Sequence, residues 1–510
     1  MTVGKVISTQ DSPSPTFFAF AIAKGGKVHK DQFVQVKTEE GTLFAIVDNV
    51  IKTNRYYARP ETVVDAENLE GLFPVAEWEF LIGHATPLGV MNQGVTQRPT
   101  LPPSPGAIVE EIDPETLGKF LSFKKEGGVN LGKVIHHNLS VNLDLTKMFQ
   151  KHVAILAMSG AGKSYLTSVL IEELLSREKR HGRVASVVFD VHGEYVSFAE
   201  KPPKGFEDFS DRAIAISRIT IPASSLNARE IALFAPMSTV QMVELEEVIK
   251  AYRGTRYNFK ELAEFVNESR MKPQTKGALS RWLLSLHFTG LFGSEEKLVA
   301  KLDGEKPKEY RLRDLLKSGK LVVFDLSSRI DSRGKQIITL WAAKSIFKMR
   351  RREEIPPVVM FVEEAHNFIP EGVSRDQAPA KGIFQTIARE GRKFLCSLVI
   401  ISQRPIRLDT TVLSQCNTHI IMRITNPYDK DHIGKSSEGI TVRTLNSLTT
   451  LQVGEALITG EAVRSPIFIK IRRRRSWEKK STNMEEDART FEEHKQKESE
   501  RTEEIEDAFL

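Results

Sequence analysis

The segment Ala157-Met-Ser-Gly-Ala-Gly-Lys-Ser164 places two glycines, a lysine and a serine directly after the apolar run Val153–Leu156 and ahead of the amphipathic stretch Tyr165–Leu175. A strand, a glycine-containing loop ending in Lys-Ser, and then a helix is the arrangement that cradles phosphates. Backbone N–H groups converge there on a helix N-terminus, where the macrodipole favours negative charge. Lys163 is expected to reach the β- and γ-phosphates of ATP, and the Ser164 hydroxyl to ligate Mg²⁺. Ser159, Gly160, Ala161, Gly162 and Tyr165 complete the expected binding segment. Ala157 stands where the first glycine of such loops usually sits, and it can serve only if its φ stays negative.

A phosphate loop needs an acidic strand end beside it. The stretch Pro357-Val-Val-Met-Phe-Val-Glu-Glu-Ala-His366 supplies one, because an apolar strand there runs into Glu363 and Glu364. Ligands bind at the carboxyl edge of parallel strands, which is where both carboxylates should lie. Glu363 takes the position of the residue that holds the Mg²⁺ shell, and Glu364 that of the group polarising the attacking water. Two further apolar runs end in polar residues. Val187–Phe189 leads into Asp190-Val-His-Gly-Glu-Tyr195, which puts Asp190 and Glu194 among the expected nucleotide-site residues, and Ser397–Ile401 leads into Ser402-Gln403-Arg404-Pro405. Gln403 could orient the lytic water. The basic run Arg389-Glu-Gly-Arg-Lys393 closes a helical pattern. Arg389 and Arg392 are either partners of a helix dipole or arginine fingers that cross a subunit interface.

The elements that must position these groups follow from texture. Up to about residue 105, short runs such as Phe17–Ala23, Gln32–Thr38 and Thr42–Asn49 are separated by turn residues, which suggests a small β-barrel. Thr96–Gly106, with Pro99, Pro102, Pro103 and Pro105, reads as a linker. Residues 106–220 and 305–471 then alternate short apolar runs with helical patterns, the signature of a parallel sheet covered on both faces. Residues 221–304 have helical spacing and read as an inserted bundle. Residues 472–510 begin with Arg472–Arg475 and continue as a charged arm with too little apolar content for a core of its own.

Composition bounds the rest. The chain has 510 residues, and 72 basic against 66 acidic side chains leave a net charge of +6, too mild to demand a polyanionic partner. With 40% hydrophobic and 27% charged residues it is neither fibrous nor mainly disordered. Two cysteines, Cys396 and Cys416, exclude a disulfide framework and suggest a reducing compartment. No apolar run approaches the roughly 18 residues of a membrane span, so a soluble, cytoplasmic protein without a membrane partner is expected.

Taken together, Ala157–Ser164, Asp190–Tyr195, Glu363-Glu-Ala-His-Asn-Phe368, Ile387-Ala-Arg-Glu-Gly-Arg-Lys393 and Ile401-Ser-Gln-Arg-Pro405 resemble the HerA–FtsK superfamily of hexameric P-loop DNA motors, and within it the archaeal HerA branch. The resemblance implies a RecA-like P-loop ATPase core with an inserted helical bundle, an N-terminal small β-barrel and a C-terminal charged arm. It implies a homo-hexamer that threads double-stranded DNA and works with a NurA-like nuclease in resecting broken ends. Residue by residue, it assigns nucleotide and Mg²⁺ binding to Lys163 and Ser164, catalysis to Glu364, a sensor role to Gln403 and interface roles to Arg389 and Arg392. It also points to Lys151, just ahead of the phosphate-loop strand. For a DNA motor, two loops after sheet strands offer backbone contacts: Ser327–Lys335, with Arg329, Arg333 and Lys335, and Pro370–Lys381, with Arg375 and Lys381. Ordinary surface charge explains them equally well. Two other classes stay open, a conjugation-type or protein-remodelling pump and a nucleotide-gated clamp that loads a nuclease without translocating.

Overall fold

A computed structural model of the chain describes residues 1–9, 12–54, 57, 78–300, 307–327, 330–374, 377–436, 440–478, 484–485, 488–493 and 495. The N-terminal part is a barrel. Its strands are β1 (Thr2–Ile7), β2 (Phe18–Ile22), β3 (Phe33–Thr38), β4 (Gly41–Asn54), β5 (Glu79–Asn92), β6 (Val95–Gln97) and β7 (Ile108–Glu111). They run β2-β1-β7-β3-β4-β5-β6, all antiparallel, and a β2–β5 pairing closes six of them into a ring. Alternate side chains such as Phe18, Phe20, Val34, Val36 and Leu43 fill the interior, as the period-2 pleat requires. Closure leaves only the three-residue β6, paired with β5 alone, as an open edge.

The proline-rich stretch is not a spacer. The side chain of Glu40 accepts the Thr100 and Leu101 N–H groups at 3.1 and 3.2 Å, and Gly106 N–H bonds Val6 O at 2.8 Å. The segment therefore folds back along the barrel and delivers β7 between β1 and β3. The expected barrel boundary at residue 105 thus omits one stave.

The second sheet contains β8 (Val129–Val134), β9 (Ser140–Leu143), β10 (His152–Leu156), β11 (Ala185–Asp190), β12 (Ala213–Pro222), β13 (Phe292–Gly293), β14 (Lys297–Ala300), β15 (Lys308–Tyr310), β16 (Leu321–Asp325), β17 (Val358–Val362), β18 (Cys396–Ser402), β19 (Cys416–Ile421), β20 (Glu455–Gly460) and β21 (Ile467–Ile471). Its centre, β12-β16-β11-β17-β18-β10-β19, is entirely parallel. The continuously apolar runs of the sequence, Val153–Leu156, Ala185–Phe189, Leu321–Phe324, Val358–Val362, Ser397–Ile401 and His419–Met422, are six of these seven strands, buried on both faces as the pattern demands. Antiparallel strands extend both ends, β14 and β15 beyond β12, and β20, β21, β8 and β9 beyond β19.

Seven helices of ten residues or more carry the argument: α1 (Lys163–Leu175), α2 (Thr239–Ala251), α3 (Phe259–Glu268), α4 (Pro273–His287), α5 (Ser332–Arg351), α6 (Lys381–Glu390) and α7 (Pro427–Ser436). One hydrophobic cluster packs α5, α6 and the bundle α2–α4 on one face of the sheet. A second packs α1 on the other and reaches into the barrel at Phe33 and Phe44. Two of the three bundle helices start on side-chain caps, and α4 starts on Pro273 without one. Ser238 with Gln241 caps α2, and Asn258 with Glu261 caps α3, in reciprocal boxes that satisfy the orphan N–H groups. The insertion is shorter than the expected 221–304, because β12 and β13 to β15 belong to the sheet. Only the helices between Ala228 and His287 stand outside it.

Candidate active site

Strand register levels the functional residues. Leu156 pairs with Ser402 on one side and Ile421 on the other, Val362 with Ile400, and Phe189 with Val362. The residues that follow these strands, namely the phosphate loop, Glu363 and Glu364, Asp190 and Gln403, therefore emerge together at the carboxyl edge of the parallel strands. In the loop, Ala157 keeps a negative φ, so alanine suffices there, while Gly160 and Gly162 have φ of 76° and 99°. A Cβ on Gly162 would also meet Met422 Cε at 3.2 Å. Gly162 is the N-cap of α1 and offers no side-chain cap, which leaves the first N–H groups of α1 available to an anion.

Lys163 Nζ donates to Glu364 Oε1 in an ion pair whose side chains are 11% and 5% exposed. Glu364 has φ 46° and ψ 46°, a left-handed conformation that costs a non-glycine residue about 1–2 kcal/mol. That turn is what aims its carboxylate back over the sheet edge at Lys163. The other oxygen, Oε2, lies 3.3 Å from His366 Nδ1 and has no hydrogen-bond partner among the described residues. Gln403 is half-buried beside Ala157, whose N–H bonds Ser402 O at 3.3 Å.

The other acids are fixed differently. Glu363 is fully buried, and its Oε2 accepts the N–H groups of Val191 and His192 at 2.7 and 3.2 Å. Burial, then the neighbouring Asp190 and Glu194 carboxyls, pushes its pKa well above the ordinary glutamate value. Asp190 accepts from Gly193 N–H at 2.7 Å, Glu194 N–H at 3.0 Å and Tyr195 N–H at 2.8 Å. Its carboxylate thus folds the 190–195 loop and has no oxygen directed at a nucleotide; burial raises its pKa as well. Glu194 Oε2 is buried without a hydrogen-bond partner among the described residues. Tyr165 OH accepts the Arg474 N–H at 2.6 Å, so it holds the chain end rather than reaching for a ligand.

That chain end is a strap. Glu172, in the middle of α1 and wholly buried, takes Arg472 Nη1 at 2.7 Å on one oxygen. Its other oxygen takes the N–H groups of Arg475 and Ser476 at 2.8 and 2.7 Å, and the Ser476 hydroxyl at 2.7 Å. Glu173 takes Arg472 Nη2 at 2.8 Å and Arg475 Nη2 at 3.2 Å. Burial alone would raise the Glu172 pKa, but the Ser476 and Arg472 bonds outweigh it and hold it below the ordinary value. Most of the arm beyond Glu478 lies outside the described residues.

The remaining candidates divide. Lys151 precedes β10 and pairs with Glu461 at 3.4 Å. It sits at the amino edge of the sheet, the length of a five-residue strand, about 17 Å, from its own phosphate loop. Arg389 and Arg392 are at the same edge, because His152 Nε2 bonds Ala388 O at 2.9 Å. Both are exposed and make no side-chain hydrogen bond or ion pair among the described residues. None of the three cations belongs to the nucleotide site of its own chain. Arg333 and Lys335 lie in the first turn of α5, capped by Asp331, so the expected Ser327–Lys335 loop is helical from Ser332. Lys381 is 7% exposed; its ammonium donates to Pro370 O and Val373 O at 2.7 and 3.1 Å and pairs with Asp409 at 3.0 Å. It anchors a loop and has no charge to offer DNA. Arg329 and Arg375 lie outside the described residues. Sequence reading passed over Arg404 and Arg407, two exposed cations just beyond Gln403. Arg404 was already inside a quoted motif, but a bare charge carries no sign of exposure.

Residues 129–346 match the family model described as "Helicase HerA, central domain". The chain is a P-loop ATPase whose central part is similar to that of HerA. Among its relatives, a probable helicase of Methanocaldococcus jannaschii is 26% identical over 504 residues, covering 92% of this chain and 90% of that one. The protein named DNA double-strand break repair helicase HerA of Pyrococcus furiosus is 28% identical over 398 residues, 68% of this chain and 69% of its own. Its namesake in Sulfolobus acidocaldarius is also 28% identical, over 74% and 75% of the two chains. The solved structure of VirB4 of Thermoanaerobacter pseudethanolicus superposes with a TM-score of 0.50 at 16% identity, covering 69% of this chain and 98% of that one, which places this chain in the same fold. The expected RecA-like core, barrel and helical insertion stand. No helix of the described residues is long and apolar enough to cross a membrane.

Proposed function

We propose that this ATPase is a translocase on double-stranded DNA that acts in the resection of broken ends, as a homo-hexamer in the cytoplasm and with a NurA-like nuclease as partner. The relatives named as break-repair helicases support the DNA reading. The observation that carries the motor reading is the pairing of Lys163 with Glu364 at one edge of the sheet while Lys151, Arg389 and Arg392 stand exposed or half-exposed at the other. A ring that sets the second edge of one copy against the first edge of the next would complete each site with cations in trans.

In this reading an incoming γ-phosphate competes for the Lys163 ammonium and releases Glu364, which then polarises the attacking water while Gln403 orients it. Hydrolysis proceeds only where phosphate has displaced the carboxylate. Magnesium fits the residues present. Among the described residues Ser164 makes no side-chain hydrogen bond and Glu363 Oε1 has no hydrogen-bond partner; with the Asp190 and Glu194 carboxyls beside it, that oxygen sits in a setting suited to a hydrated cation. Ser164 would hold the ion and Glu363 its water shell; when bound, it neutralises phosphate charge. Exposed Arg333, Arg404 and Arg407 are candidate backbone contacts.

Two measurements test the proposal. Linear duplex DNA should raise ATP turnover, and the gain should fall steeply with salt; a rate indifferent to DNA removes the motor reading. Subunits carrying Arg389→Ala, Arg392→Ala or Lys151→Ala, each inactive alone, should regain activity when mixed with Glu364→Gln subunits. If no mixture recovers turnover, hydrolysis in trans is wrong.

A further inference from the structure

His366 follows the catalytic carboxylate by two residues, and its ring faces two partners with a single nitrogen. Nδ1 is hydrogen-bonded to Ser402 Oγ at 3.1 Å, while the orphaned Glu364 Oε2 lies 3.3 Å from the same atom. One nitrogen lone pair or one N–H cannot serve both fully. Ser402 is fully buried, and its hydroxyl also accepts the Arg404 N–H at 3.0 Å, which sets the course of the chain after β18.

Beyond these contacts the two strand-end segments are laced together. Asp409 N–H bonds Ile369 O at 2.9 Å, and Glu371 N–H bonds Arg407 O at 2.8 Å; between them Pro370 and Leu408 form an isolated antiparallel bridge. Glu371 Oε2 accepts the Thr410 N–H at 2.6 Å. Lys381 then ties the base of the same loop to Asp409, and Gln336 on α5 clips its ends, bonding Asn367 O at 2.7 Å and the Ala380 N–H at 3.1 Å. The result is one hydrogen-bonded body running from His366 to the exposed Arg404 and Arg407.

We infer that His366 is a positioning residue whose Nδ1 alternates between Ser402 and Glu364, so that release of Glu364 from Lys163 re-seats the laced 402–410 and 369–373 segments. The inference deepens the motor reading and rests on its assignment of Glu364. The pull is direct. When phosphate takes Lys163, Glu364 is free to engage Nδ1 through Oε2, and the Ser402 bond is the one that must yield. Coupling of this kind needs an element with two discrete arrangements, and the shared nitrogen supplies it.

The test uses the full-length protein, ATPγS as probe and amide hydrogen exchange, with no DNA present. In the wild type the probe should change exchange at 404–410 by at least about fivefold, the lower end of ordinary site-to-site coupling. In His366→Ala and in Ser402→Ala, protection of the phosphate loop should show the probe bound while the change at 404–410 disappears. His366→Asn, which keeps a polar group near the Nδ1 position, should restore it. Retention of the change in both disruptive variants, or its absence from the wild type, overturns the inference. Because no DNA is used, a motor reading that failed on DNA stimulation would leave this readout standing, and the two failures are separable.

Discussion

Glu364→Gln should cut ATP turnover by about 10²–10⁴-fold, the usual range for a lost general base, while ATP binding is kept or tightened. The direction of the binding effect follows from the resting pair. Lys163 Nζ is held by a carboxylate in a site where both side chains are almost fully enclosed, so in the proposed reading ATP must first displace an anion from the cation expected to meet its phosphates. A neutral amide at 364 cannot hold Lys163 so firmly, and the incoming phosphate meets less competition. Glutamine is nearly isosteric, so the left-handed backbone at 364 and the packing around it are retained. The variant is measured by phosphate release under saturating ATP together with equilibrium binding of a fluorescent ATP analogue. Turnover within about tenfold of the wild type would show that another group polarises the water. A large loss of binding would show instead that the Lys163–Glu364 pair is needed to form the loop.

Arg472→Ala should loosen α1 by about 1.5–3 kcal/mol, because it strips a buried carboxylate of its nearer charge partner and leaves Arg475 Nε, at 3.6 Å, as the remaining one. Glu172 is fully enclosed, and Arg472 meets both it and Glu173 with an 18% exposed side chain, so solvent screens the pair little. The matched replacement Glu172→Gln with Arg472→Met removes both charges at once, keeps an oxygen for the Arg475 and Ser476 donors, and should recover most of the loss. Amide exchange across 163–175 reads the effect locally, which matters in a chain of several folded parts where one global unfolding energy has no clear meaning. The sign with pH follows from the depressed Glu172 pKa. Its contribution is present at neutral pH and is lost as pH falls below the ordinary glutamate value and through the lower folded one. If Arg472→Ala leaves exchange in α1 unchanged, the strap is an ornament on the helix and bears none of its stability.

How much of this was legible beforehand depends on what kind of burial each element has. Six of the seven parallel strands were visible because burial on both faces leaves a continuous apolar run, Ala185–Phe189 being the plainest. β12 was not, because its segment Ala213–Pro222 alternates buried and open positions and borders antiparallel β14. The phosphate loop and Glu363–Glu364 were legible as motifs, since chemistry restricts residue type and spacing together. The cations were legible only as charges. Lys381 and Lys151 look like Arg389 and Arg392 in a sequence, yet one is sealed against Asp409 and another sits beside Glu461. Likewise Tyr165 follows the loop motif directly but turns its hydroxyl to a chain end more than three hundred residues away, a contact no local pattern encodes.

The last stave of the barrel has a mechanical consequence. β7 reaches the helix at Pro114–Phe120 through Ile112 and Asp113 alone, and Phe120 of that helix stacks on Phe44 of β4 with ring centroids 4.4 Å apart. The joint therefore has almost no slack: two residues of chain on one side and an aromatic clasp on the other. A barrel hung on a long tether would absorb a load by swinging. Here a torque applied to the barrel would pass directly into the ATPase sheet, and a strain generated in the sheet would pass directly out.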